Sequence, residues 1–425
     1  MKEINLANKK VSPVAWVPTL YFAMGMPFVV LNMVLSLLYK DLGIGNAEIT
    51  FWTGLIMLPW TLKFLWSPLL ELYKTKKLFV VLTQVVSGVF GLAAISLHLP
   101  DFFAISIALF AVVALSGATH DIAADGTYMG VLSKEDQARW IGWQGAFYNI
   151  AKIFATGLLV WIAGIITPMV GVLNAWTAIL VFLCVVMTAL GIYHYFILPT
   201  DGKHNDDKKS ASETLKELWD VLKEFVQKAH IIYYILFIII YRLAEGFVMK
   251  VVPLFLHDPV SQGGLGLSNE QIGTYYGTFG AAAFVVGSIL GGNVIARFGL
   301  KRVLFVLALI FNLPFLVYTF LAIYQPSSLW LIGGGIVIEY FGYGFGFVGL
   351  TMFMMHQIAP GKNQMSHYAI ASGIMNLSVM VTGMSSGKLT TLLGYEGFFL
   401  FVLIFIIPAL LITWFVPFTY PDKKQ

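Results

Sequence analysis

The sequence predicts an all-α membrane protein with twelve transmembrane helices arranged as two six-helix halves. Of its 425 residues, 58% are hydrophobic and only 11% are charged, and the mean hydropathy is +0.81. Soluble domains have about 45–50% apolar and about 25% charged residues. The apolar residues also form long runs separated by short polar turns. This composition excludes a soluble enzyme and a nucleic-acid-binding protein.

The twelve predicted spans have the length that a bilayer requires, since a hydrocarbon core about 30 Å thick takes about 20 apolar residues per helix. They cover residues 14–38, 49–70, 78–98, 102–131, 139–166, 172–198, 231–256, 271–295, 302–323, 328–357, 365–391 and 396–418. The longest polar interval follows the sixth span. It divides the chain into an N-terminal half at 1–199, a linker at 200–230 and a C-terminal half at 231–425.

The linker contains a predicted amphipathic helix. Ser210 and Glu213 have the spacing of a capping box. Apolar residues follow at helical spacing with Lys and Glu between them: Leu215, Leu218, Trp219, Leu222, Phe225 and Val226. This helix either lies against the membrane surface or the helix bundle, or is a simple tether.

The distribution of Lys and Arg predicts the orientation, because cytoplasmic loops carry an excess of both residues. Most of the 26 Lys and Arg residues lie on the side that holds both chain ends, whereas the loops of the opposite side contain only Lys40. We therefore expect a multi-pass protein of the cytoplasmic (inner) membrane with both termini, and the linker, in the cytoplasm. The sequence contains a single cysteine, Cys184, which excludes a framework of disulfide bonds within the chain.

A short repeat relates the two halves. Residues 42–49 precede the second span and read LGIGNAEI, and residues 265–272 precede the eighth span and read LGLSNEQI. Parallel repeats are typical of one large class of transporters. The repeat therefore favours a transporter built from two related halves.

A basic loop follows each of these two spans. The second loop, with the end of its span, reads G-x-x-x-A-R-F-G-x-K-R over residues 292–302, and it resembles the cytoplasmic loop motif of the major facilitator superfamily. The first loop keeps the acidic residue of that motif. The resemblance implies a cytoplasmic gate formed by Glu71, Arg297, Gly299, Lys301 and Arg302.

Four further segments resemble the AmpG-type muropeptide permeases, which belong to the same superfamily. They are YFAMGMP at 21–27, KFLWSPL at 63–69, HDIAAD at 120–125 and SHYA at 366–369. The resemblance implies the major facilitator fold, in which two six-helix halves are related by a pseudo-two-fold axis and rock about a central site. It also implies the proton-coupled import of a cell-wall-derived muropeptide or a related saccharide.

Ionisable residues within spans are the best candidates for a functional site, because each costs about 2.5–3.5 kcal/mol on insertion scales. Asp121 and Asp125 are four residues apart in the fourth span, hence on one face of a helix. Two neighbouring carboxylates favour the binding of a proton to one of them. Proton coupling or gating is one hypothesis for this set, and a purely structural salt bridge is the other: Asp121, Asp125, Lys63, Lys152 and His120.

A second set of charges lies in the C-terminal half. Arg242 and Glu245 are near the middle of the seventh span, and Glu339 is near the middle of the tenth. In the superfamily, spans 1, 4, 7 and 10 line the central cavity. Arg242 could hold a carboxylate or phosphate of the substrate, or it pairs with one of the two glutamates and leaves no net charge. Lys250 lies nearer the outer end of its span and is expected to snorkel to the interface.

Aromatic and amide side chains within the spans are candidates for contacts with sugar rings. Trp and Tyr also collect at both interfaces of any membrane protein, so each residue could equally be a packing residue. The candidates for the substrate cavity are Tyr21, Tyr128, Gln144, Tyr148, Tyr241, Tyr340 and Asn376.

The sequence has no phosphate-binding loop G-x-x-x-x-G-K-[ST] and no His or carboxylate grouping with the spacing of a metallohydrolase. We therefore expect neither an ATP-driven pump nor an enzyme, no metal or cofactor, and a proton gradient as the energy source. The expected partners are a small-molecule substrate and the lipid bilayer, with the chain as a monomer. Other hypotheses are transport of another oligosaccharide or an acyl-CoA-like anion, drug efflux, and a transport-inactive membrane sensor or scaffold.

Overall fold

The structure is a computed structural model, and it describes residues 11–67, 70, 76–200, 211–361 and 363–420. Its regular structure within these residues is entirely helical, which confirms the all-α prediction. We number the helical segments in chain order. They are α1 (Pro13–Asp41), α2 (Asn46–Leu55), α3 (Leu58–Leu62), α4 (Lys76–Ser96), α5 (Phe102–Val131), α6 (Lys134–Val170), α7 (Val172–Ile197), α8 (Ala211–Val226), α9 (Ile231–His257), α10 (Asn269–Phe298), α11 (Leu300–Tyr324), α12 (Leu329–Ile358) and α13 (Gln364–Trp414).

Ten of the described segments are long and apolar enough to cross a membrane. The predicted second span is not among them, because its helix is interrupted between α2 and α3. The last two predicted spans both fall within α13, which contains a break at Gly394, where φ is 67°. Glycine adopts this conformation without the steric cost that other residues incur. A multi-pass helical membrane protein is thus confirmed, and the count of twelve spans remains a prediction.

The helix bundle has two ends that side-chain contacts identify. The hydroxyls of Tyr234 and Thr419 lie 2.7 Å apart near the C-terminus, and we call this the terminus end. At the opposite end, the end of α1 contacts the start of α10, where Asn269 donates a hydrogen bond to Asp41. We call this the loop end.

Helices α6 and α10 bring the two halves of the chain into close contact. Each contains a π-helical segment, Ile153–Leu159 in α6 and Gly273–Gly280 in α10. Such segments are frequent at functional sites. The Thr156 hydroxyl lies 3.4 Å from the Gly277 carbonyl oxygen. A Cβ atom at position 277 would overlap the Thr156 carbonyl, so this approach requires the glycine.

The structure places helix α8 in the predicted linker and docks it on the bundle. Phe225 is only 3% exposed, and the centre of its ring lies 5.7 Å from that of His367 in α13. Just beyond α8, Lys228 Nζ donates a hydrogen bond of 2.6 Å to the carbonyl of Pro360. Ser210 of the predicted capping box lies outside the described residues. The linker helix therefore lies against the bundle and is not a free tether.

Candidate functional site

An ion pair joins the buried Asp121 of α5 to the partly exposed Lys63, which directly follows α3. Asp121 is 7% exposed and lies about 15 Å from the end of the helix at Val131, at 1.5 Å per residue. Its Oδ2 accepts hydrogen bonds from Lys63 Nζ at 3.2 Å and from Trp60 Nε1 at 3.0 Å. Its Oδ1 is buried and has no hydrogen-bond partner among the described residues. This oxygen is a position at which the carboxyl group could hold a proton.

Asp125 lies one turn further along α5. Its Oδ1 accepts a hydrogen bond from the Tyr21 hydroxyl at 2.9 Å and a longer one from the Gln144 amide at 3.4 Å. The structure thus brings five of the predicted site residues together from four parts of the chain. We call them the carboxylate cluster: Tyr21, Lys63, Asp121, Asp125 and Gln144.

His120 contacts a different set of polar side chains. Its Nε2 lies 2.9 Å from Gln84 Nε2, and Gln84 Oε1 lies 2.8 Å from His194 Nδ1. His194 Nε2 in turn lies 2.9 Å from the Thr19 hydroxyl. Because an amide nitrogen donates and an amide oxygen accepts, His120 accepts at Nε2 and His194 donates from Nδ1. This chain of hydrogen bonds joins α1, α4, α5 and α7, so the geometry favours a bracing role for His120.

Arg242 and Glu245 pair with each other in α9. Arg242 Nε donates to Glu245 Oε2 at 2.5 Å, and a second guanidinium nitrogen donates to Oε1. Each residue is 4% exposed. The guanidinium carbon also lies 5.0 Å from the ring centre of Phe347. The sequence left open whether Arg242 binds a substrate anion or pairs with a glutamate, and the structure shows the ion pair with Glu245.

Glu339 lies in α12 and, with Glu245, lines a small interior cavity of about 20 Å³. It is 6% exposed and accepts a hydrogen bond of 2.9 Å from the Tyr318 hydroxyl. The cavity is lined from both halves of the chain, by Met33 of α1 and by residues of α9 to α12 that include Glu245, Tyr276 and Glu339. We call the four interior charges here the C-terminal charge cluster: Lys152, Arg242, Glu245 and Glu339.

Lys152 reaches this cluster from the N-terminal half. Its Nζ lies 4.6 Å from the ring centre of Phe284, and 5.2 Å and 5.8 Å from those of Tyr340 and Tyr343. Glu339 is close enough to interact with it electrostatically. No ion pair of Lys152 is found within the described residues. The structure therefore separates Lys152 from the aspartates with which the sequence analysis grouped it.

The remaining candidate cavity residues fall into two groups. Tyr128 is 3% exposed and Tyr241 is fully buried. The Tyr241 hydroxyl donates to the Gly346 carbonyl at 2.9 Å, a contact that favours a packing role, and its assignment to the cavity stays a prediction. The others line the cavity or are partly exposed: Tyr148, Tyr340 and Asn376.

The predicted cytoplasmic gate is described only in its second copy, because Glu71 lies outside the described residues. Gly299 has a φ of 81° and terminates α10. Its conformation explains why a glycine stands there. The basic residues of this copy are exposed: Arg297, Lys301 and Arg302.

Lys250 corrects a further expectation, since it does not reach the interface. It is 4% exposed, and its Nζ donates to the backbone carbonyls of Asn32 at 2.7 Å and Thr53 at 3.2 Å. Asn32 lies in the π-helical segment Val30–Val34, and Thr53 precedes the break after α2. These irregularities leave carbonyl oxygens available, and no periodic sequence pattern announces them.

Ionisable residues buried in two interior clusters of a multi-helix membrane bundle indicate a functional site of the kind that membrane transporters have. The family model of the Major Facilitator Superfamily matches residues 19–357 and 234–425. The chain belongs to this superfamily.

Curated relatives support the predicted subgroup. An uncharacterised protein of Haemophilus influenzae is 26% identical over 419 residues, covering 95% of this chain and 94% of its own. The putative transporter AmpG 4 of Rickettsia felis is 25% identical and covers 91% and 92%. The anhydromuropeptide permease of Escherichia coli K12 is 24% identical and covers 92% of this chain and 77% of its own. The resemblance to AmpG-type permeases is therefore confirmed.

Solved structures confirm the fold. The crystal structure of a D-xylose–proton symporter matches with a TM-score of 0.74 at 14% identity, covering 96% of this chain and 98% of that one. The nucleoside transporter NupG matches with a TM-score of 0.70 at 12% identity, covering 94% and 98%. At these identities the match establishes the fold and not the substrate.

Proposed function

We propose that this protein is a proton-coupled transporter that imports a cell-wall-derived muropeptide or a related saccharide across the cytoplasmic membrane. Membership of the superfamily establishes the transporter class. Similarity to the E. coli anhydromuropeptide permease supports the substrate class. The proposal includes twelve spans in two six-helix halves, with both termini and the linker in the cytoplasm and the chain working as a monomer without a cofactor.

The observation that carries the proposal is the ion pair between Lys63 and Asp121, with one oxygen of Asp121 unpaired in a buried site among the described residues. Protonation of Asp121 removes the charge that holds Lys63, so it weakens the contact between the second predicted span and α5. A proton is thereby linked to the relative position of two helices. Asp125, one turn away, can accept the same proton or stabilise Lys63 after it is released.

The C-terminal charge cluster supports binding of a substrate with an anionic group and sugar rings. Arg242 is already paired with Glu245, so it does not offer a free charge. Lys152 has aromatic neighbours and forms no ion pair among the described residues, and it stands between the two halves. We therefore assign the contact with a substrate anion to Lys152, and stacking against sugar rings to the tyrosines around it.

Uptake into proteoliposomes tests the proposal. Labelled anhydro-muropeptide and a labelled neutral disaccharide are offered with and without an inward proton gradient, to the wild type and to Asp121→Asn and Asp125→Asn. We expect gradient-driven muropeptide uptake by the wild type and its loss in Asp121→Asn. With equal pH on both sides, Asp121→Asn should still exchange labelled for unlabelled muropeptide across the membrane. The exposed Asp101 provides the matched control, Asp101→Asn, which should behave as the wild type.

Other results would contradict parts of the proposal. Muropeptide uptake at the same rate with and without the proton gradient would exclude proton coupling. Absence of uptake of any compound by folded protein would favour the transport-inactive sensor or scaffold, and uptake of the disaccharide alone would reject an anionic substrate.

A further inference from the structure

The two copies of the short sequence repeat face each other at the loop end. Asn46 and Asn269 occupy the same position in the two copies. Asn46 Nδ2 donates to Asp258 Oδ2 at 3.1 Å, and Asn269 Nδ2 donates to Asp41 Oδ2. Each copy therefore binds an aspartate of the other half of the chain.

A basic residue precedes each aspartate, and these bases also cross between the halves. Lys40 Nζ lies 2.5 Å from Asp258 Oδ1, and His257 Nε2 lies 2.7 Å from Asp41 Oδ1. The segments Lys40-Asp41 and His257-Asp258 thus pair reciprocally. Six residues form two equivalent arms, and we call them the reciprocal latch: Lys40, Asp41, Asn46, His257, Asp258 and Asn269.

Asp258 is buried, Asp41 has a side chain that is 9% exposed, and both aspartates accept from further donors. Asp258 is 2% exposed and accepts a hydrogen bond of 2.5 Å from the Tyr395 hydroxyl. Asp41 accepts a hydrogen bond of 2.7 Å from Trp176 Nε1. A buried charge is costly once it loses its partner, so a break in one arm favours separation and rehydration of this end. Removing one partner from the latch is therefore expected to cost more than removing one from a surface ion pair.

A second set of hydrogen bonds between the two halves lies deeper in the bundle. Lys250 is seven residues before His257 in α9, about 10 Å along the helix. Its two acceptors, the carbonyls of Asn32 and Thr53, belong to the N-terminal half. Any separation of the halves at the loop end breaks these hydrogen bonds as well as the latch.

We propose that the reciprocal latch holds the loop end closed in this conformation, and that its release opens a path from that side to the interior charge clusters. Because each arm joins the same two segments, a rigid rotation of one half against the other breaks both arms together. The inference rests on the proposed function, since alternating access requires that each end open and close.

A distance measurement across the loop end tests the latch without substrate. Cys184 is replaced by serine, and spin labels are attached at Glu48→Cys and Val260→Cys, which are exposed positions on opposite sides of the latch. The distance between the two spin labels is then measured by double electron–electron resonance on the protein in lipid nanodiscs. In the labelled protein with an intact latch, we expect most molecules to show a short distance between the labels at positions 48 and 260. Adding Asp41→Asn or Asp258→Asn should shift most molecules to longer distances.

Two matched variants separate the latch from general damage. Asp101→Asn, an exposed aspartate at the same end, should leave the distances unchanged. The exchange of Lys40→Asp with Asp258→Lys should restore the short distance. If Asp258→Asn does not fold, the partly exposed Lys40 gives a second opening variant, Lys40→Met.

Unchanged distances in folded Asp41→Asn and Asp258→Asn would overturn the latch and leave the proposed transport function intact. A shift to longer distances in a protein that transports nothing would support the latch and contradict the function.

Discussion

Arg242 and Glu245 satisfy each other's charge within one turn of α9. The guanidinium donates two parallel hydrogen bonds to the two carboxylate oxygens, and both side chains are almost fully buried. An anion that bound Arg242 would first have to displace this carboxylate. The cation left without an ion pair in this cluster, among the described residues, is Lys152.

Lys152→Met should therefore weaken binding of an anionic ligand far more than binding of a neutral one. A hydrogen bond to a charged group contributes about 1.5–3 kcal/mol, so we expect roughly a 10- to 100-fold loss of affinity for anhydro-muropeptide. Calorimetric titration of the purified protein measures it, with a neutral disaccharide as the comparison. An equal loss for both ligands would show that Lys152 does not contact the substrate's charge.

Arg242→Ala should act mainly on stability. Removing the guanidinium leaves Glu245 charged and unpaired in a buried site, which costs about 3–5 kcal/mol. We expect a clear fall in the melting temperature in detergent, and a similar loss of binding for charged and neutral ligands. The double variant Arg242→Met with Glu245→Met removes both charges and should recover much of the stability. A stable Arg242→Ala that loses only anion binding would return the substrate contact to Arg242.

Gly277→Ala should destabilise the contact between α6 and α10. The added methyl group would overlap the Thr156 carbonyl, which belongs to the backbone and cannot move alone. Overpacking of this kind costs about 1–3 kcal/mol. Gly292 in the same helix has no atom within 4 Å of an added Cβ, so Gly292→Ala is the control and should be neutral or slightly stabilising. Equal melting temperatures for both variants would show that the close approach is not required.

The sequence was sufficient for features that depend on local patterns. Apolar run length predicts the membrane helices, and the four-residue spacing of Asp121 and Asp125 predicts that they share one face of α5. It was also sufficient for the family, because the motif at residues 292–302 and the permease-like segments are contiguous in sequence.

Partners that come from distant helices could not be predicted in the same way. Lys152 was grouped with the aspartates by charge alone, and the structure places it among the rings of α10 and α12, in the region where Gly277 lets α6 and α10 approach closely. The partners of Lys250 depend on interruptions in α1 and α2 that have no periodic signature. The latch did leave a signal, since Asn46 and Asn269 stand at equivalent positions of the repeat, but their role appears only when the halves meet.

The orientation of the chain can be measured with reporter fusions. The excess of Lys and Arg on the side of the chain ends predicts that this side is cytoplasmic. A reporter fused after Pro199 should therefore be active in the cytoplasm, and one fused after Asp101, in the loop between α4 and α5, should be active in the periplasm. Green fluorescent protein and alkaline phosphatase, which are active on opposite sides, are fused at both positions. The reverse pattern would place the reciprocal latch on the cytoplasmic side. If the reporters at both positions were active on the same side of the membrane, the three spans predicted between Asp101 and Pro199 would be contradicted.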